Sequence, residues 1–214
     1  MSGDATAMAG KRTPHLWRRF RDAHDGAAAV EFAMVLPILI LAYTGMVDVA
    51  QLVMTNRKVT QLTSTLSDLT ARLQTAPVSE IANIFAAAKT VLLPYDASKA
   101  SMVIASIVID AKGTGRVCWV SSDPGGTSAL KRGDTVPLPE SAKVPKTSVI
   151  MASASYSFTP IVGQMTLPFL GEVGIGTVTL GNNPIFTRPR TGKPDGTDSI
   201  EQIVRSDVTG CPTY

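Results

Sequence analysis

The stretch from Gly26 to Leu52 reads GAAAVEFAMVLPILILAYTGMVDVAQL, and it decides the architecture of the chain. Phe32 to Val47 carries no charge, and Glu31 is the only ionisable side chain between Ala27 and Val47. A helix rises about 1.5 Å per residue, so a hydrocarbon core of about 30 Å needs about 20 mostly apolar residues. Apolar side chains occupy every side of this predicted helix, whereas a helix buried in a soluble core shows a polar stripe. The stretch is therefore predicted to span a membrane.

The residues before the span predict its orientation. Three aspartates precede the span, and they are outnumbered by five basic residues, Lys11, Arg12, Arg18, Arg19 and Arg21. An excess of Lys and Arg beside a first span keeps that side in the cytoplasm, so everything after about Ala50 is predicted to be exported. A cleaved secretory signal is disfavoured because the apolar run exceeds the usual length, and because no A-x-A site ends it.

Length and charge limit the rest of the chain. With 214 residues and a net charge of +3, there is room for one span and one modest domain. The positive balance is concentrated before the span, so it favours the inner membrane and its anionic headgroups as partner. Since no basic patch interleaved with aromatic residues follows the span, nucleic-acid binding is not predicted.

The segment from Arg18 to Asn56 resembles the N-terminal signature of TadE-like proteins, the minor pilin-like components of tight-adherence (Flp-type) pilus systems. The features that match are a basic lead-in, small residues after Gly26, the pair Glu31-Phe32, Pro37 inside the apolar run, and a helix that continues past it. Downstream the likeness is one of layout, with alternating strands and a C-terminal Cys-Pro. The resemblance implies a structural pseudopilin or an inner-membrane assembly factor that supports pilus biogenesis and surface adhesion. Its implied partners are other pilus-assembly components, pilin-like subunits and a prepilin peptidase.

The resemblance also implies roles for individual residues. A prepilin peptidase would cut between Gly26 and Ala27 and leave Glu31 as the fifth residue; the family permits this processing without guaranteeing it. Glu31 would then pair with the free amine of Ala27 in a neighbouring subunit. The alternative is that Glu31 turns to water at the edge of the span. Pro37 is expected to kink or loosen the helix near Ala33, either as a hinge for assembly or as a kink without function.

A second hydrophobic pattern follows the span. Leucine and valine recur at spacings of seven, three, four, three and four, in the order Leu52, Val59, Leu62, Leu66, Leu69 and Leu73. This is an a/d seam on one continuous helix, predicted from Ala27 to about Gln74 and ended by Pro77. The leucine seam (Val59, Leu62, Leu66, Leu69 and Leu73) packs either on a partner helix, in homo- or hetero-oligomers, or on the protein's own sheet. Packing on the sheet is the preferred interpretation, and Leu62, Leu66 and Leu69 are the candidates for a partner contact.

The remaining chain predicts an α+β domain. A second helix is expected from Ser79 until Pro94 stops it, and then the periodicity changes to two. Four antiparallel strands are predicted: Ser101–Asp110, Arg116–Ser121, Thr147–Thr159 and Gly174–Leu180. The tail from Asn182 to Ser199 is polar and rich in Pro, and it is predicted to be a loop. The predicted domains are a lead-in at 1–25, a transmembrane helix at 26–50, its periplasmic extension at 51–76 and a periplasmic domain at 77–214.

The two cysteines predict a disulfide. Cys118 lies in a predicted strand and Cys211 lies near the end of the sequence. On the exported side of a membrane, an isolated pair is most simply a structural disulfide that pins the tail, with two free buried thiols as the alternative.

The sequence predicts no catalytic, cofactor or metal site. His15 and His24 are the only histidines, and both lie in the lead-in. The predicted exported domain therefore has no histidine base or ligand, and its carboxylates are scattered in loops. A protein that is not an enzyme is expected. It is either a pilin-like assembly protein that reaches a surface pilus after processing, or a permanently anchored periplasmic binding or sensor module.

Overall fold

The structure is a computed structural model. It describes residues 25–123, 128–161, 166–167, 171–172, 176–196, 199–205, 207–208 and 211. The chain divides into two compact units, Met1–Met46 and Val47–Tyr214. The basic lead-in predicted at 1–25 lies outside the described residues, apart from the backbone of Asp25.

One long helix dominates the N-terminal part of the chain. Helix α1 runs from Asp25 to Ala71, 47 residues, and contains Pro37. By length and composition it can cross a membrane, and it is the one such helix among the described residues. The predicted helix therefore forms, and its helical assignment continues through Pro37 and the four residues before it.

Helix α1 ends three residues before the predicted Gln74, because the backbone of residues 74–76 forms hydrogen bonds with a distant part of the chain. Thr75 forms a parallel bridge with Val204. The Ala76 N–H donates to the Val204 carbonyl at 2.8 Å, and the Val204 N–H donates to the Gln74 carbonyl at 3.3 Å. An extended backbone that pairs in this way cannot continue a helix, so tertiary contacts override the local pattern.

Helix α2 runs from Val78 to Lys89, with Pro77 as its N-cap. It therefore begins one residue before the predicted Ser79. Its apolar face buries Ile81, Ile84 and Phe85 at helical spacing. A short 3₁₀ turn at Thr90–Leu92 follows it.

The strands form one main sheet and two small ones. Their bounds are β1 Ala100–Ile109, β2 Gly115–Ser122, β3 Thr135–Val136, β4 Thr147–Phe158, β5 Thr166–Leu167, β6 Gly171–Glu172, β7 Val178–Gly181, β8 Ile185–Thr187, β9 Lys193–Asp195 and β10 Ile200–Gln202. The main sheet has the order β3-β2-β1-β4-β7, and β8 also pairs with β4. The strand pairs among the described residues are all antiparallel. The α+β class is confirmed, with six strands in the main sheet where about four were predicted.

The central ladder joins β1 and β4 over ten residue pairs, from Ala100 opposite Tyr156 to Ile109 opposite Thr147. Side chains on β4 alternate between two clusters, as the sequence predicts. Ile150, Ala152 and Ala154 belong to the cluster that contains the helix residues. Val149 and Met151 belong to a second cluster on the other face of the sheet.

The second face is covered by the connection between β2 and β4. Val136 and Leu138 are buried there against Ile107 and Val117 of the sheet. The sequence of this connection, rich in Gly and Pro, predicts only a long loop. Its short strand β3 pairs with Gly115 and Arg116 of β2 and brings the loop onto the sheet.

The tail from Asn182 is not the loop that was predicted. It contributes β8 to the main sheet and forms the β9–β10 hairpin. The Ser148 hydroxyl of β4 donates to the Glu201 carbonyl at 2.6 Å, and Ile200 and Ile203 enter the helix-side core. The prediction failed because short strands of three residues carry too little periodicity to be recognised.

Candidate functional site

The residues implied in processing lie at the start of α1. Gly26 and Ala27 are exposed and helical. A Cβ placed on Gly26 would meet no atom within 4 Å, and its φ is not in the positive region. Neither packing nor backbone conformation therefore requires glycine here, although glycine costs a helix up to about 1 kcal/mol relative to alanine. A requirement outside the folded chain would account for this residue.

Glu31 is exposed on the apolar part of α1. It lies one helical turn after Ala27, so both residues are on the same side of the helix. Among the described residues, Glu31 takes part in none of the ion pairs. A carboxylate placed at the edge of a bilayer costs a few kcal/mol unless it finds a partner or water.

The Thr44 hydroxyl, inside the apolar part of α1, finds its hydrogen-bond acceptors within the same helix. The Thr44 hydroxyl donates to the Ile40 carbonyl at 2.8 Å and lies 3.2 Å from the Leu41 carbonyl. Pro37 has no N–H, so the Ala33 carbonyl lacks its usual helical donor. The large side chains around it are exposed, among them Phe32, Met34 and Ile38. Such a surface fits a single-pass membrane protein.

The leucine seam packs on the protein's own sheet. Val59, Leu62 and Leu66 are completely buried in the helix-side core. Leu69 and Leu73 are partly buried and pack against the same cluster. Leu62 and Leu66, named as candidates for a partner contact, are therefore enclosed in the protein's own core, while Leu69 keeps part of its surface exposed. The alternative that the sequence preferred, packing on the sheet, is the one observed.

The tail also closes the C-terminal end of α1. The Arg190 N–H donates to the Ala71 carbonyl at 2.9 Å, and the Thr191 hydroxyl donates to the Arg72 carbonyl at 2.8 Å. The guanidinium groups of Arg72 and Arg190 both bind the Asp68 carboxylate. These contacts satisfy carbonyls that a helix end leaves without partners.

Asp48 is a structural residue that the sequence did not reveal. Its position directly after the last apolar turn predicts only the outer boundary of the span. The structure buries Asp48, and its Oδ1 accepts a hydrogen bond of 2.8 Å from the Ile161 N–H. Asp48, Leu52, Thr55 and Val59 follow one another at spacings of four, three and four, which places them on one side of α1. This spacing is the sequence signal that could have identified Asp48 as a buried residue.

The disulfide that the sequence predicts is present, between Cys118 and Cys211. Two further contacts hold the same part of the tail. The Trp119 indole N–H donates to the Ile203 carbonyl at 2.8 Å, and the Arg205 guanidinium lies 5.7 Å from the Trp119 ring. The same guanidinium donates to the Val120 carbonyl at 2.9 Å. Strand β2 is therefore joined to the tail by covalent, polar and cation–π contacts.

Two loop carboxylates have structural partners. Asp110 accepts the N–H groups of Lys112 and Thr114, each at 2.8 Å, and the Thr114 bond lowers its pKa. The Ser98 N–H likewise lowers the pKa of Asp96. Carboxylates that close turns in this way stay ionised and are poor proton donors. Within the described ranges, no three His, Cys, Asp or Glu side chains are grouped to hold a metal ion.

A shallow groove of about 330 Å³ lies between α2 and the end of β2. Its apolar wall includes Val78, Ile81 and Phe85, and its polar end includes Lys89 and Asp123. These two charged groups pair at 2.9 Å, with the carboxylate buried. The groove is one of the concave features of the head that an anchored binding module could use, beside a larger one of about 560 Å³ lined by Gly115, Val136 and Leu138.

Comparison with known proteins matches one segment of the chain. Residues 26–65 match the family model described as TadE-like protein. The matched segment contains Gly26, Glu31 and Pro37, and it continues into the part of α1 that packs on the sheet. Neither the curated proteins nor the solved structures gave a match.

Proposed function

We propose that the chain, whose residues 26–65 match the TadE-like family model, is a minor pilin-like subunit, or an inner-membrane assembly factor, of a tight-adherence (Flp-type) pilus. The TadE-like family implies involvement in the assembly of such pili. The role proposed is structural rather than enzymatic. The observation that carries the proposal is the start of α1, where an exposed Gly26 precedes a long apolar helix with Glu31 one turn inside it.

Cleavage after Gly26 is the first part of the proposal. The glycine has no packing or conformational role in the folded chain, which supports recognition by a peptidase as its reason. The basic residues before it place the cut on the cytoplasmic side of the membrane.

Glu31 supplies the second part. After cleavage, Ala27 carries a free amine, and the amine of a neighbouring subunit would neutralise the Glu31 carboxylate at the edge of the bilayer. Pairing removes the cost of an isolated charge in that position. The charge pair would also fix the axial register of adjacent helices, which is the assembly role proposed for Glu31. Pro37 would then act as the hinge at which α1 adjusts to the assembly.

The head is placed on the exported side. The disulfide between Cys118 and Cys211 supports this location, because disulfides persist in the oxidising periplasm and are rare in the cytosol. The protein is therefore proposed to be a single-pass inner-membrane protein with its N-terminus in the cytoplasm, able to enter a surface pilus after processing.

The test is the N-terminus of the mature protein, measured by mass spectrometry in cells with and without their prepilin peptidase. We expect peptidase-dependent chains that begin at Ala27. Gly26→Leu should block the cut, whereas Gly45→Leu should not. Gly45 is the matched control, since it lies in the same helix and a Cβ there also meets nothing within 4 Å. An intact N-terminus in both strains would contradict the pilin-like reading and leave a permanent anchor.

The groove between α2 and β2 favours a second candidate, a permanently anchored binding or sensor module. This function requires an intact N-terminus and a ligand for the apolar wall of the groove. Phe85 lies on that wall, but it is also part of the core. Ala82→Trp, on the outward side of the groove, is the better test: it should fill the groove and abolish ligand capture without affecting pilus formation.

A further inference from the structure

The exposed side of α1 stays apolar beyond Asp48, the first charged residue after the apolar run. Val49, Val53 and Met54 have 64%, 46% and 59% of their surface exposed. All three lie in the unit that begins at Val47. Exposed apolar residues in consecutive turns of one helix form a patch rather than scattered single residues.

Two polar residues of the same turns, Asp48 and Thr55, are buried in the head. Asp48 is 7% exposed, and its carboxylate is bonded to the Ile161 N–H. Thr55 is completely buried on the same side as Val59 and Leu62. The head therefore buries two of the polar groups that would end a membrane span, while Gln51 between them is partly exposed and Val49, Val53 and Met54 remain exposed.

The outward side becomes polar at Asn56 and Arg57, both exposed, and continues with Thr60, Gln61 and Ser64. The helix from Ala27 to Arg57 has 31 residues and rises ~45 Å, which matches the ~40–45 Å of a bilayer with its headgroups. Arg57 and Lys58 take part in none of the ion pairs of the described residues. Their charges are thus available at the height where lipid phosphates lie.

We propose that Val49, Val53, Met54 and Arg57 form a lipid-contacting surface, with the three apolar side chains in the outer leaflet and Arg57 on the phosphates. This inference rests on the proposed membrane anchor. The membrane then ends at different heights on the two sides of α1. The exposed side contacts lipid as far as Met54, whereas the opposite side is buried in the head from Asp48 onwards.

A bilayer fits this surface better than a second copy of the chain. The patch continues the apolar span, which has the same chemistry on all sides. A symmetric contact between two copies would also place Arg57 and Lys58 of one chain beside those of the other, and like charges oppose such pairing.

Tryptophan scanning in proteoliposomes tests the proposal. The full chain carries Trp17→Phe, so that buried Trp119 is a constant background. Val53→Trp is the test position and Ser64→Trp is its matched control. The two positions are eleven residues apart, which places them on the same side of an α-helix. Ile38→Trp reports on the anchor itself. Lipids brominated in the upper acyl chain quench tryptophans in the leaflet, and aqueous acrylamide quenches those in water.

We expect Val53→Trp to emit at shorter wavelength than Ser64→Trp and to lose fluorescence with brominated lipid, while Ser64→Trp responds to acrylamide alone. Quenching of Val53→Trp by acrylamide alone would overturn the proposal, because the side chain would be in water. Resistance to both quenchers would also overturn it, because another protein surface would cover the patch. If Ile38→Trp resists brominated lipid, the anchor itself fails; if only Val53→Trp resists, the proposed anchor stands.

Discussion

The two ends of α1 have opposite relations to their surroundings, although they belong to one helix. Residues 26–46 expose large apolar side chains such as Met34 and Ile38, and residues 47–71 bury Val59 and Leu62 completely. The difference follows from pattern rather than from hydrophobicity alone. Apolar residues on every side suit lipid, whereas apolar residues on one side suit a sheet. Comparing the two segments therefore separates what a membrane stabilises from what the protein's own core stabilises.

Removing a leucine from each segment tests this contrast with the largest expected effect. Leu62→Ala leaves a cavity in the helix-side core and should lower the free energy of unfolding by about 2–5 kcal/mol. Leu39→Ala removes the same atoms from an exposed position, so the stability of the head should not change. Urea titration in mild detergent, followed by Trp119 fluorescence in the Trp17→Phe background, measures both. Equal losses would break the contrast.

The disulfide sharpens the comparison, because it stabilises only the head. Replacing Cys118 and Cys211 by serine opens a link between residues 93 positions apart. The free energy of unfolding of the head should fall by about 2–4 kcal/mol. Membrane retention should be unchanged, since residues 26–46 make no use of the bond. Urea titration with and without reductant checks the first effect, and carbonate extraction of membranes checks the second. Loss of membrane retention would show that the two segments depend on each other.

Two aspartates of α1 provide a smaller contrast. Asp48→Ala removes a buried carboxylate that accepts from the Ile161 N–H, and loss of a hydrogen bond to a charged group should cost about 1.5–3 kcal/mol. Asp68→Ala removes exposed ion pairs with Arg72 and Arg190 and should cost less than about 1 kcal/mol. The same urea titration compares them. If Asp68→Ala costs more, the tail's hold on the helix end matters more than burial does.

The smallest effect is a pH dependence. The pKa of Asp110 is lowered in the fold from its ordinary value of 3.8, chiefly by the Thr114 N–H. Its contribution to stability is thus complete above pH 3.8 and is lost as the pH falls through the lowered pKa. Asp110→Asn keeps an oxygen acceptor without the charge, so its melting temperature should vary less below pH 3.8 than that of the wild type. If the melting temperature of Asp110→Asn falls at acid pH as steeply as that of the wild type, titration of other groups determines the acid sensitivity.

Sequence reasoning succeeded where the signal is local. The long helix, β1 and the alternation along β4 all follow from periodicity over ten or more residues. It failed where the partner is far along the chain. Strand β8 exists because Ile185–Thr187 pairs with β4, and α1 ends because Thr75 pairs with Val204.

The residues of the candidate site likewise divide into those that a local pattern identifies and those that depend on a distant partner. Gly26, Glu31 and Pro37 are a spacing motif, so the sequence alone identifies them, and the structure adds that the glycine has no packing role. The leucine seam was recognised as a pattern, but periodicity does not say which surface covers it. Asp48 looked like a simple end to the span because its partner, the Ile161 backbone, lies 113 residues away.

The tail contacts also order the events of biogenesis. The cap on α1, the acceptor for Trp119 and the partner of Cys118 all come from residues after Thr187. With the proposed topology, in which the head is exported after the N-terminal anchor, these residues cross the membrane last. Until they arrive, the head lacks its clasp, although its helices and central strands have already crossed. In that topology the completion of export and the completion of folding coincide, because the head folds fully only after its last residues have crossed.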